Sequence, residues 1–311
     1  MKLISIVTPC YNEEENVYEV YSQVKRIFQN LQDYSYEHIF IDNASKDKTV
    51  DILKKIAAED KNIKVIVNTR NFGVYRSPIH AMFQTKGDAV IPLAADLQDP
   101  PNLIPEFLAN WEQGYKIVAA VKKESEESMP MYTVRKIYYN LISYLSETEQ
   151  IKNYTGYGLF DRTVIELVRN TGDYFPYFRG LVCEMGYDIA KIDYVRPTRK
   201  TGITKNSLYD LYSQAMNGIV NQSKFPLRLA TFIGFTVALF SILVAFGYFI
   251  YKLLYWQSFK VGTAPIVIGL FFFSAVQLIF LGIIGEYIGA IHSRIFQKWL
   301  VIEKERINFD D

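Results

Sequence analysis

Residues 89–101 read Ala89-Val90-Ile91-Pro92-Leu93-Ala94-Ala95-Asp96-Leu97-Gln98-Asp99-Pro100-Pro101. The first part is a short apolar run with the length and bounds of a buried strand. Beyond its carboxyl end come Asp96, Gln98 and Asp99, and the proline pair then stops any regular element. A strand that delivers polar side chains to the following turn is either making turn chemistry or building one wall of a site.

Working outward from this stretch, the same arrangement recurs. Strand-like runs lie at Leu3–Val7, His38–Ile41, Ile63–Val67, Ala89–Leu93 and Lys116–Ala120, and helical periodicity lies between them at Glu15–Leu31, Thr49–Glu59, Ser77–Thr85 and Leu103–Gln113. This alternation predicts an α/β fold with a doubly wound, mostly parallel sheet, whose ligand crevice lies beyond the carboxyl ends of the strands. Four such ends are polar: Thr8-Pro9-Cys10-Tyr11-Asn12-Glu13, Asp42-Asn43-Ala44-Ser45, Asn68-Thr69-Arg70-Asn71-Phe72-Gly73 and Asp96-Leu97-Gln98-Asp99. Any one of them could be turn chemistry, with Ser45 or Asp47 capping the next helix. Four on one edge predict a functional site there.

The chain of 311 residues is 50% hydrophobic and 22% charged, enough to bury a large core. Its formal net charge of +1 supplies no global field for nucleic acid, so anions must be met by local clusters and a nucleic-acid partner is not expected. Cys10 and Cys183 form neither a metal spacing nor a disulfide framework, which suits a reducing compartment; Cys10 beside a polar turn is a minor candidate nucleophile. His38, His80 and His292 show no ligand spacing and read as structural or surface residues. The first apolar run is too short for a signal peptide. There is no dinucleotide fingerprint, P-loop or fixed-period repeat. The Asn-x-Ser/Thr matches at Asn43, Asn153 and Asn221 read as chance.

Apolar character concentrates near the carboxyl end. Residues 227–251 carry a single charge, Arg228, and 264–291 a single charge, Glu286. At about 1.5 Å per residue each run exceeds a hydrocarbon core of about 30 Å. The sequence therefore predicts a two-helix transmembrane hairpin, residues 225–311, with a carboxyl-terminal tail. Lys224 and Arg228 before it and Arg294, Lys298, Lys304 and Arg306 after it outnumber Lys252 and Lys260 in the connection. That bias orients an integral membrane protein with both ends, and the domain of residues 1–206, in the cytoplasm. Glu286 reads as an interfacial acid or as the partner of a cation in the bundle. Residues 207–224 place Leu208, Leu211, Ala215 and Ile219 at helical spacing, either an amphipathic helix on the membrane surface or one packed on the domain.

The ordered series TPCYNEEEN (8–16), IDNASKDKT (41–49), RNFG (70–73), ADLQDPP (95–101) and RPTRKTGITK (196–205), followed by two apolar runs and IGEYIG, resembles the family-2 glycosyltransferases of GT-A fold over nearly the whole chain. More narrowly it is similar to the membrane-anchored polyprenyl-phosphate glycosyltransferases, the dolichol-phosphate-mannose-synthase-like group. The resemblance implies an inverting enzyme that moves a sugar from a nucleotide sugar, a UDP-sugar favoured, to a polyprenyl phosphate at the cytoplasmic face of the bilayer, and a homo-oligomer. It implies a donor pocket of Pro9, Tyr11, Glu13, Asp42 and Asp96, and Mg²⁺ or Mn²⁺ held by Asp96 and Gln98. Oxygen ligands suit such hard cations, which neutralise a diphosphate leaving group. The acceptor phosphate would meet Arg196, Arg199 and Lys205, with Asp96, Arg199 and Lys205 carrying the chemistry. Arg196, Arg199, Lys200 and Lys205 could equally face anionic headgroups. Lys122, Lys123 and Arg135 either add to this cluster or sit in a solvated charged loop.

The chain departs from the family pattern at three places. Ala94 stands where a first acid is usual, Asn43 where a second is, and Tyr157 follows Thr155-Gly156 where an Asp is frequent. An anionic phosphate acceptor can attack without surrendering a proton, so positioning and charge neutralisation would carry the rate. Two other readings remain at this point: a membrane family-2 transferase acting on a lipid-linked glycan, and a silenced sugar-nucleotide-binding module.

Overall fold

The centre of the molecule is a strand with both faces covered. In the computed structural model, which describes residues 1–123, 151–173, 177–197, 225–255, 263–295 and 301–309, β1 (Lys2–Cys10) sends Ile4 and Ile6 into one apolar layer and Val7 into the other, as the two-residue strand period requires. The sheet has eight strands in the order β7-β5-β6-β4-β1-β2-β3-β8. These are β2 (Tyr34–Asp42), β3 (Ile63–Asn68), β4 (Ala89–Pro92), β5 (Ile117–Lys122), β6 (Tyr154–Asp161), β7 (Ile189–Tyr194) and β8 (Glu303–Ile307).

Helices α1 (Val17–Gln29), α2 (Thr49–Glu59), α3 (Gly73–Phe83) and α4 (Ile104–Glu112) alternate with the first five strands, as the periodicity predicts. Helix α1 buries Val17, Val20, Tyr21, Val24 and Phe28, one stripe of a 3.6-residue helix. Two further helices, α5 (Arg162–Asn170) and α6 (Phe178–Glu184), follow β6.

β2 and β4 pair in parallel with opposite sides of β1, and β3 continues in parallel beyond β2. The chain therefore reverses its direction of travel at β1, and the switch point falls between β1 and β4. The expectation of a mostly parallel sheet holds at this centre and changes at the flanks. β6 inserts antiparallel between β4 and β5, β7 is parallel to β5, and β8 is antiparallel to β3. Two reversals restore direction, so β4, β5 and β7 all point their carboxyl ends to the same edge as β1 and β2.

Two long helices cover the apolar runs, α7 (Phe225–Leu254) and α8 (Thr263–Ile295). Within α8, Phe272–Gly289 is long and apolar enough to cross a membrane and is unburied; the described apolar stretch of α7, Phe225–Ser241, is shorter. Residues beyond α8, read from sequence as a tail, return to the domain as β8. The segment 207–224, expected to form an amphipathic helix, lies outside the described residues.

Candidate active site

The loops after β1 and β2 are stitched to one another. Asn12 N–H donates to Ser45 Oγ at 2.8 Å and Lys46 N–H donates back to Asn12 Oδ1 at 2.8 Å. Glu13 N–H donates to Thr49 Oγ1 at 2.9 Å, and Lys48 N–H to Glu14 Oε2 at 2.9 Å. Upstream, Pro9 and Cys10 pair with Ile41 and Asp42 in the parallel strands, so the loop that carries Tyr11 and Glu13 and the loop after Asp42 leave the sheet side by side. Glu13 accepts from Asn16 Nδ2 at 2.7 Å, which orients its carboxylate at the start of α1.

Asp42 ends β2 with no exposed surface. One carboxylate oxygen accepts from Ser45 N–H at 2.9 Å, and the other, Oδ1, is buried with no hydrogen-bond partner among the described residues. Burial pushes its pKa up against the hydrogen bonds it receives. A buried acceptor left open at a strand end costs free energy unless a ligand donates to it.

Asn43 is saturated. Its Nδ2 donates to Asn71 Oδ1 at 2.9 Å and to the Gly73 carbonyl at 3.3 Å, while its Oδ1 accepts from Asn68 Nδ2 at 3.1 Å and Phe72 N–H at 2.9 Å. An aspartate here would face the Gly73 carbonyl with no proton to give. The residue read as a lost acid is the amide that holds loop 70–73, and Asn68 and Asn71 were the available signal.

At the end of β4, Leu93 N–H still bonds the Val7 carbonyl at 2.8 Å, and the chain then turns with Leu97 at φ 57°. Leu97 packs on the core, leaving Asp96 and Gln98 half-buried on either side of it. Gln98 N–H donates to Asp96 Oδ1 at 3.2 Å. No group of three His, Cys, Asp or Glu that could hold a metal occurs among the described residues. The oxygen donors of Asp96 and Gln98 fit a hard cation that completes its shell with diphosphate oxygens and water.

Asp99 caps no helix; it is buried and accepts from Tyr194 Oη at 3.2 Å, and its pKa is pushed up to about 6 by burial, with Arg196 opposing and Asp96 adding to the shift. Tyr157 is buried too, donating its hydroxyl to the Pro100 carbonyl at 2.6 Å; burial pushes its pKa far up, so it supplies no base. Neither role was visible in sequence, because both depend on β6 and β7 lying under the loop.

The cations stand at the same sheet edge. Lys122 ends β5 in register with Tyr194, two residues before Arg196, whose Nε is buried without a hydrogen-bond partner among the described residues. Lys123 pairs with Asp193 at 3.6 Å. Arg135, Arg199 and Lys205 lie outside the described residues. Cys10 is buried with its thiol toward the Thr8 carbonyl, and burial with the nearby Asp42, Glu13 and Asp47 pushes its pKa well up, so it is no nucleophile.

The family model for Glycosyl transferase family 2 matches residues 5–180. A Bacillus subtilis (strain 168) protein named uncharacterized glycosyltransferase YkcC is 32% identical over 314 residues, covering 98% of this chain and 97% of its own. The SfII prophage-derived bactoprenol glucosyl transferase of Shigella flexneri is 33% identical over 310 residues, covering 98% of this chain and 99% of its own. Among solved structures, glucosyl-3-phosphoglycerate synthase from Mycobacterium tuberculosis with Mn²⁺, uridine-diphosphate and phosphoglyceric acid aligns at a TM-score of 0.45 and 18% identity, over 70% of this chain and 76% of that one. The polar loops at the switch point, the family match over more than half of the sequence and relatives that run its full length lead to one conclusion: the chain belongs to glycosyl transferase family 2 and is a glycosyltransferase.

Proposed function

We propose that the protein moves a sugar, with inversion, from a UDP-sugar to a polyprenyl phosphate at the cytoplasmic face of a membrane. The observation that carries this reading is the division of charge along one sheet edge. The acids are Asp42, which ends β2, and Asp96, in the turn after β4; the cations are Lys122, which ends β5, and Arg196, two residues past β7. A nucleoside diphosphate fits the first side: Asp42 Oδ1 accepts from the ribose or base, and Tyr11 offers a stacking face. A phosphate monoester fits the second, where Arg196, Arg199 and Lys205 would supply charge-assisted hydrogen bonds.

A divalent cation at Asp96 and Gln98 would supply charge neutralisation to the leaving diphosphate. The acceptor oxygen attacks the anomeric carbon from the face opposite the diphosphate, the carbon–oxygen bond to the diphosphate breaks, and no proton has to be removed. Tyr157, which supplies no base, is consistent with that economy. The bilayer placement is supported by connectivity: β7 and β8 lie in one sheet, so the chain between them leaves and returns on the same side. If α8 crosses a bilayer, α7 crosses it as well.

Transfer from radiolabelled UDP- and GDP-sugars to a polyprenyl phosphate by detergent-solubilised protein, with and without Mn²⁺ or Mg²⁺, tests the reading. The expected result is a metal-dependent lipid product from a UDP-sugar that falls by at least about a hundredfold in Asp96→Ala. Transfer only to a lipid-linked glycan, or nucleotide binding without turnover, would replace this reading by the corresponding alternative.

A further inference from the structure

We propose that Asp99, Tyr157 and Tyr194 form a buried strut that sets the geometry of Asp96 and Gln98 and links it to Arg196. All three are positioning residues, since none is placed to touch a substrate. The proposal rests on the donor and metal reading above.

The strut begins at β6. Gly158 lies so close to β5 that a Cβ there would come 2.1 Å from the Val118 carbonyl oxygen. That approach fixes the backbone next to Tyr157. Its ring is 2% exposed and meets Phe107 edge-on at 5.1 Å and Tyr194 at 6.0 Å. The hydroxyl then has one described use, the bond to the Pro100 carbonyl. Tyr194, at the end of β7, gives its hydroxyl to Asp99. That bond anchors Asp99, three residues past Asp96, at the far end of the turn.

Three strands therefore converge on the turn 94–100. β4 carries it, β6 holds Pro100 through Tyr157, and β7 holds Asp99 through Tyr194. Each hydroxyl is a buried donor to an acceptor in the turn, an interaction that fixes geometry as well as adding stability. Asp96 is half-buried where Asp99, the other acid of this turn, is buried, so the orientation of its one carboxylate decides the grip on a cation. Because Arg196 follows Tyr194 by two residues and its charge acts on Asp99, the same bond sets the spacing between the cation side and the acid side of the crevice.

The test uses the full chain in detergent and calorimetric binding of UDP with and without MnCl₂, with Tyr157→Phe and Tyr194→Phe. Each variant keeps the ring and removes one hydroxyl. Mn²⁺-dependent UDP affinity is expected to fall about tenfold in each, while metal-free UDP affinity stays within about twofold and the Tm within a few degrees. Unchanged metal-dependent affinity in both overturns the strut, as does equal loss with and without metal, which would mean a general disturbance of the pocket. Asp99→Asn, which keeps an acceptor for Tyr194, should retain metal-dependent binding that Asp99→Leu loses. Equal loss in those two variants also overturns the proposal. A wild-type protein that binds no nucleotide would overturn the donor reading itself and the strut with it.

Discussion

Asn12, Ala44 and Leu97 hold left-handed backbone, at φ 54°, 63° and 57°, in the three loops that surround the crevice. A residue with a Cβ pays about 1–2 kcal/mol for that conformation, and the cost is tolerated where the surroundings fix it. Asn12 is held by its bonds to loop 45–46 and Leu97 by the core. Ala44 has neither, so Ala44→Gly should raise stability by about 0.5–1 kcal/mol after the added entropy of the unfolded glycine, read by denaturant unfolding of the purified protein. Much of the site was legible at this scale: the polar residues ending β1, β2 and β4 fall where strand-then-turn reading puts them. Asn43 and Asp99 were not, because a side chain's partners come from other loops. Asn43 serves loop 70–73, and Asp99 serves Tyr194, some ninety positions away.

Strand β8 shows what patterning can and cannot reveal about an element. Its sequence, Glu303-Lys304-Glu305-Arg306-Ile307, has the look of a solvated charged segment, yet it pairs with β3 from Val65↔Ile307 to Asn68↔Glu303. As an edge strand it is built on ion pairs: Lys54–Glu305 at 2.7 Å, His80–Glu303 at 2.5 Å, and Arg306 on both Glu303 and Gln84. Asn308 closes it, donating to the Ala57 carbonyl at 2.6 Å and the Ile63 carbonyl at 2.8 Å. Asn308→Ala should cost about 1–2 kcal/mol of stability, and hydrogen exchange should rise first in β3 and β8. The first five strands announced themselves by apolar runs. β6 was hidden by Gly158, which its close approach to β5 demands, and by Gly156 at φ 100°, and β7 by the lysine and aspartate on its open face. α3 starts at Gly73, ahead of the expected Ser77, so Pro78 lies inside the helix, where it removes one backbone donor.

Across the whole molecule, acid stability is shaped by groups that burial has moved in opposite directions. His38 is fully buried against Thr8, and burial lowers its pKa to about 3 despite Asp60 nearby. The unfolded chain binds its proton near pH 6.5 and the folded one does not, so its contribution to stability is lost as pH falls from about 6.5 toward 3, by about 1.4 kcal/mol per pH unit. Asp99, raised to about 6, works the other way: the folded state holds the proton longer, so acidification between about 6 and 4 favours folding. Comparing His38→Gln with the parent protein between pH 7 and 5 isolates the first effect; the parent should show the steeper loss on acidification. The order of assembly follows from the last strand. β3 is complete once residue 68 has been made, but the strand that covers its outer edge comes from residues 303–307, after α7 and α8. During synthesis that edge stays unpaired until both long helices have left the ribosome, and an open edge is a template for aggregation. Residues that cover this edge are thus made only after both apolar helices, so the sheet cannot close when its first strands form and has to wait for them.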